Sequence, residues 1–412
     1  MIRDILREKI KGLVQGFLLW AQAHPRPVFW VLRNFAPVLK IKTFALVSRY
    51  EDVREVMTFD DVFGVTYAPK MQDMTGGANF FLGMNDSPEY TRDVSNMRLV
   101  VAREDVTERI TPFVAAHAAE IVTAAQGRLD VVADLTQPVP ALLLGDYFGI
   151  PGPTPKVIFD WASNIFNFLF IDLQNTPEVT SEALASAQAL RDYLDALIAD
   201  RKRQASRDDV LGRCLALQSS GTPGMDDVAI RNNLFGILVG MLPTTSKAAS
   251  FALDVLLDRP GPLAEVREAA RADDDARVAA YVFEALRFNP INPGLLRVTM
   301  SDHRVARGHL RSRLLPAGTT VFAATQSAMF DGRKVAAPRR FRADRASTDY
   351  MHFGAGMHTC FGEHINLAQI PHILKPLLRC YNLRRAGKGD GVLHMKGPFP
   401  DHMVVEFTPE NL

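Results

Sequence analysis

Between Asp226 and Pro260 the chain carries one unbroken helical pattern. Asp226 or Asp227 supplies an N-cap, and Asp258-Arg259-Pro260-Gly261 stops the run. At 1.5 Å per residue such a helix is roughly 45 Å long. Its middle, Leu234 to Leu242, is apolar on every side, so it needs apolar cover all round. Nine apolar residues are too few to cross lipid, and polar Asn232, Asn233, Thr244, Thr245, Ser246 and Lys247 flank them. A central helix buried among other elements is therefore predicted. Pro243 stands inside it. Proline donates nothing to the carbonyl of Val239 and crowds it, which predicts a kink beside Thr244 and Thr245. Such a groove offers unpaired acceptors to water or a small ligand.

The rest of the chain fits a globular protein around that helix. Of 412 residues, 47% are hydrophobic, too many for disorder. The net charge of +1 gives no field that would drive binding to nucleic acid or an anionic membrane. Three cysteines form no disulfide framework, which indicates a reducing, cytoplasmic setting. No secretory signal is visible. The first twenty residues, with Ile2, Ile5, Leu6, Ile10, Leu13 and Phe17 on one face, read as an amphipathic helix that either docks on its own domain or touches a membrane surface. Phe44 to Ser48 reads as a strand and Tyr50 to Met57 as a helix. Ser219 to Gly224 is a loop rather than a linker, so residues 1–412 are taken as one domain. Phe159, Trp161, Ile165, Phe166, Phe168, Leu169 and Phe170 form an apolar cluster, suited to core packing or to lining a pocket.

The chemistry is concentrated at Phe353-Gly354-Ala355-Gly356-Met357-His358-Thr359-Cys360-Phe361-Gly362. Glycines at this density allow tight backbone geometry around one cysteine. Ile370, Ile373, Leu374, Leu377 and Leu378 then follow at helical spacing, so Cys360 precedes a helix N-terminus. Backbone N–H groups there would favour a thiolate, the form a soft axial metal ligand requires. A zinc site from His352, His358, Cys360 and His364 lacks the usual ligand spacing, and c-type haem attachment lacks its C-x-x-C-H. A buried free cysteine would leave the glycines unexplained. Glu284 and Arg287, at i and i+3 in the run Ala276 to Phe288, can form an ion pair.

Taken together these segments resemble the cytochrome P450 family over essentially the whole length. Phe353 to Gly362 fits the haem loop F-G-x-G-x-H-x-C-x-G at every fixed position, and Glu284 with Arg287 matches the family's E-x-x-R pair. The resemblance implies a mainly α fold with a small β portion (α+β). It places haem b between the central helix and the cysteine loop, with Cys360 as the metal ligand. It assigns Phe353, Gly354 and Gly362 to the haem-binding loop, and Arg297 and His358 to the haem propionates. Pro338-Arg339-Arg340-Phe341 corresponds to the meander that joins the ion pair, making Arg340 structural. Tyr90 stands where a propionate-binding histidine often occurs, with Arg92 and Arg98 both candidates for the arginine after it.

Gly240 and Thr244 would face the distal side, with Thr245 beside them. Pro243 occupies the position of the family's proton-relay acid. Dioxygen cleavage consumes protons, and proline shuttles none. The resemblance implies a monooxygenase acting on a hydrophobic substrate such as a fatty acid, terpenoid or steroid. Electrons would come from a separate ferredoxin and reductase, since no flavin or iron–sulfur segment is fused to the chain. A peroxide-dependent peroxygenase or lipid hydroperoxide isomerase is the alternative, and a haem sensor or carrier the more distant one. A monomer is expected.

Overall fold

The computed structural model describes residues 25–78 and 80–410. The predicted N-terminal amphipathic helix lies outside these residues. The chain gathers into two compact units.

The first unit holds a five-stranded sheet, β1 (Val38–Ile41), β2 (Phe44–Val47), β3 (Phe63–Gly64), β4 (Leu295–Thr299) and β5 (Thr320–Ala323). The spatial order is β1-β2-β5-β4-β3, with β2 and β5 parallel and the other pairs antiparallel. Side chains alternate across a strand. Register therefore places Ala45, Val321 and Arg297 in one row, and all three are buried. Helix α1 (Tyr50–Thr58) follows β2, as its pattern predicts.

The second unit is mostly helical. Helix α2 (Pro88–Val100) starts at Ser87, whose hydroxyl accepts from the Tyr90 N–H, with Pro88 in its first turn. Helix α3 (Pro155–Phe166) and the π-type turn Asn167–Ile171 carry the aromatic cluster. The long helix α4 spans Asp227–Leu257. Asp226 caps it by accepting from the Ala229 N–H at 2.9 Å. Helix α5 (Asp275–Phe288) bears the ion pair, and α6 (Glu363–Arg379) follows the cysteine and contains Pro371 and Pro376. A two-stranded hairpin, β6 (His394–Lys396) and β7 (Phe399–His402), completes the part needed below.

Helix α4 runs unbroken through Pro243, and its length and composition alone would suit a membrane span. Most of its apolar window is buried, because other helices of the same unit cover it. From Asn232 to Leu253 every residue is buried except Ile237, Gly240 and Thr244. Those three stand at i, i+3 and i+7, one stripe of the helix.

Candidate functional site

The accessible stripe on α4 is the first part of the site. A Cβ added at Gly240 would meet no atom within 4 Å, whereas one added at Gly236 would strike the Phe80 ring at 2.3 Å. The two glycines thus serve opposite needs: Gly236 admits a ring, and Gly240 leaves the helix surface open. The Thr244 hydroxyl donates to the Gly240 carbonyl at 2.5 Å. This local bond occupies an acceptor one turn back, beside the carbonyl of Val239 that Pro243 cannot serve. Pro243 is buried, and so is Thr245, whose hydroxyl donates to Asn366 Oδ1 on α6 at 3.0 Å. Of the four residues placed at this point of the sequence, only Gly240 and Thr244 present accessible surface; Thr245 ties α4 to α6.

Cys360 is the second part. Gly362 is the N-cap of α6, and a Cβ added there would lie 3.9 Å from Cys360 Sγ, ordinary van der Waals contact. By surface area Cys360 is exposed, yet it lies deep within the protein. Burial pushes the thiol up to about 11, and the N–H of Gly362 lowers it only in part. The expected thiolate stabilisation by the helix end is therefore the smaller effect. An apolar surround holds a neutral thiol, and only a bound cation at the sulfur reverses that preference. Phe361 packs on Phe81 with ring centroids 5.2 Å apart.

His358 is buried, with its ring edge-on to Tyr90 at 5.8 Å. The structure thus brings together two of the predicted propionate contacts, from α2 and from the residues before Cys360. Neither arginine candidate shares that buried environment. Arg92 is exposed and bound to Asp93 at 2.8 Å, and Arg98 is exposed in the last turn of α2.

The Glu284–Arg287 pair of α5 is fully buried. The carboxylate accepts from Arg287 Nε at 2.9 Å and Nη2 at 2.8 Å, a two-pronged contact. It also accepts from the Arg342 N–H at 2.9 Å and from Arg345 Nε at 3.1 Å. Arg345 had no signal in the sequence pattern, because its partner lies 61 residues away. Arg340, assigned to this network by resemblance, is exposed and belongs to the first unit.

In the first unit Arg297 is 3% exposed within the apolar face of the sheet. Its Nη1 donates to the Leu296 carbonyl at 2.9 Å, but its Nε has no hydrogen-bond partner among the described residues. A buried guanidinium with an unserved N–H suits an anion. Phe353 and Gly354 lie in this unit too. Gly354 has φ +78°, and Gly356, at φ +76°, packs so closely that a Cβ would meet the Met57 carbonyl at 2.3 Å. Asp60 accepts from the Met357 N–H at 3.1 Å and fixes the turn.

Within the second unit, a cysteine at the start of a helix and a helix face left open around one hydroxyl suit a protein that holds a metal cofactor by sulfur. The chain matches the Cytochrome P450 description over residues 38–399, and it belongs to that family. It is similar to cyclomarin C epoxidase CymV of Salinispora arenicola, 31% identical over 256 residues that make up 61% of each chain. Nocardicin C N-oxygenase of Nocardia uniformis subsp. tsuyamanensis is 26% identical over 85% of this chain and 87% of its own. Among solved structures, that of CalO2 shares the fold with a TM-score of 0.80 at 22% identity, covering 94% of this chain and 97% of its own. The chain is therefore an oxidoreductase of the monooxygenase type, and its cofactor is haem iron with an axial cysteine thiolate.

Proposed function

We propose that Cys360 is the axial ligand and that the substrate is a hydrophobic small molecule held against the Ile237–Gly240–Thr244 stripe. The observation that carries this is the accessible stripe on an otherwise buried helix, with its single hydroxyl at Thr244. In the second unit His358 and Tyr90 would contact a haem propionate; in the first, the unserved N–H of Arg297 suits an anion of the same kind. Bound haem supplies oxygen activation at a site whose thiolate pushes electron density toward the iron. The match over residues 38–399 spans both units and supports one catalytic domain.

Thr244 is the proton-handling group of the stripe. Its Oγ1 bond to the Gly240 carbonyl leaves the oxygen's lone pairs free to accept from a water. Pro243 contributes no proton, so water on the open side of Gly240 must carry what the family's acid ordinarily moves. We infer electron supply from a separate ferredoxin and reductase. Pro243 at the acid position also favours a second reading, oxidation driven by peroxide, which needs no such relay.

Product formation on fatty acids and terpenoids under two oxidant supplies separates the two. Turnover only with NADH, a surrogate ferredoxin and its reductase supports the monooxygenase reading. Turnover mainly with hydrogen peroxide overturns it in favour of the second.

A further inference from the structure

Lys247 is the one charged residue among the buried residues of α4. It is 9% exposed. Its ammonium has no carboxylate partner among the described residues. Nζ lies 5.3 Å from the centroid of Phe251 and 5.8 Å from that of Phe399 on β7. Two ring faces attract a cation, but each contact contributes only about 0.5–2 kcal/mol, less than the several kcal/mol that burying an ion costs. Burial alone lowers the amine to about 8, with no acidic neighbour opposing it. At pH 7 it is still about nine-tenths protonated. Among the described residues no carboxylate balances this charge.

Helical spacing locates that charge. Lys247 follows Ile237, Gly240 and Thr244 at i+10, i+7 and i+3, so it lies on the same side of the helix as the accessible stripe, just beyond its end. From Phe399 a row of rings leads away: Phe166 at 6.0 Å, Phe170 a further 4.7 Å, then Tyr67 at 4.8 Å. An apolar wall with one cation at its end suits an amphipathic molecule. One ammonium without a guanidinium fork or a cluster of backbone N–H groups suits a single negative charge rather than a phosphate. Nζ also extends toward Phe251, a turn beyond Lys247, so it is poorly placed to deliver protons at Thr244.

We propose that Lys247 is the counter-ion for a substrate carboxylate, and that this enzyme oxidises an aromatic or aliphatic carboxylic acid whose body lies along Phe399, Phe166 and Phe170. The inference rests on the stripe being the substrate face.

The test is calorimetric binding to the holoenzyme. The probes are straight-chain acids from octanoate to hexadecanoate, phenylalkanoic acids, and the methyl ester of each. Wild type should bind at least one acid about 10-fold or more tighter than its ester, as a charge-assisted contact in a buried site provides. Lys247→Met should weaken the acid and spare the ester, bringing the ratio under about 2-fold, while Lys247→Arg keeps a preference for the acid. Equal binding of acids and esters by wild type, no acid binding at all, or a preference that survives Lys247→Met would overturn the proposal. The reduced carbonyl spectrum of every sample reports the haem-thiolate centre independently. Gly240→Leu fills the open side of the stripe and should weaken acid and ester alike. If it changes neither while Lys247→Met still acts on the acids, the substrate-face reading fails and the carboxylate contact stands.

Discussion

Replacing Glu284 with Gln keeps the shape of the side chain and removes its charge. In the folded protein that carboxylate is fully buried and accepts from Arg287 through two nitrogens, from Arg345 and from the Arg342 N–H. Arg287 and Arg345 are 0% and 1% exposed at the side chain. The substitution therefore removes the charge that both buried guanidinium groups contact. Breaking a buried pair in this way costs about 3–5 kcal/mol, far more than an exposed i,i+3 pair contributes. Unfolding entropy of about 2.1 cal/mol/K per residue, over 412 residues, turns that loss into a fall in Tm of roughly 3.5–6 °C. Thermal unfolding followed by circular dichroism, with haem content measured on the same samples, reads it. Because the three side chains act as a unit, Glu284→Gln with Arg287→Gln should lose less than the sum of the single changes. A Glu284→Gln variant within about 1 kcal/mol of wild type would refute the claim that this network is what holds α5 to residues 341–345.

Three further outcomes follow from the site. Cys360→His should abolish the thiolate-type spectrum of the reduced carbonyl complex; an unchanged spectrum sinks the ligand assignment. Pro243→Asp should raise the fraction of electrons recovered in product if a proton donor is what the helix lacks, at a stability cost of about 1–3 kcal/mol for the buried carboxyl; unchanged coupling would mean that water already suffices. Lys247 has a folded pKa of about 8, below its unfolded 10.5, so the unfolded chain binds the extra proton and burial of this amine destabilises the protein below pH 8. Lys247→Met should then be more stable than wild type by roughly 3 kcal/mol at pH 7, with the gap closing as pH rises toward 10; a gap constant across urea titrations from pH 7 to 10 contradicts the burial argument.

Much of the architecture is legible in the sequence. The N-cap at Asp226 and the stop after Leu257 bracket α4 because capping and proline chemistry are local. The strand at Phe44 and helix at Tyr50 follow from patterns read over a few residues. The glycine spacing before Cys360 is likewise local: Gly354 and Gly356 take positive φ angles, which favour glycine.

What the sequence by itself determined is thus the set of features that act within one or two turns of chain: caps, stops, the glycine loop, the i,i+3 ion pair. What only the tertiary structure decided is everything settled by distant neighbours. Arg345 joins Glu284 across 61 residues, and Thr245 meets Asn366 across 121, while its neighbour Thr244 keeps the open side of the helix. The polar residues after Met241 look alike in sequence. Packing separates them, because burial is a property of what surrounds a helix and not of the helix itself. For that reason Lys247 reads as an ordinary flanking cation until Phe399, 152 positions later, is seen to cover it.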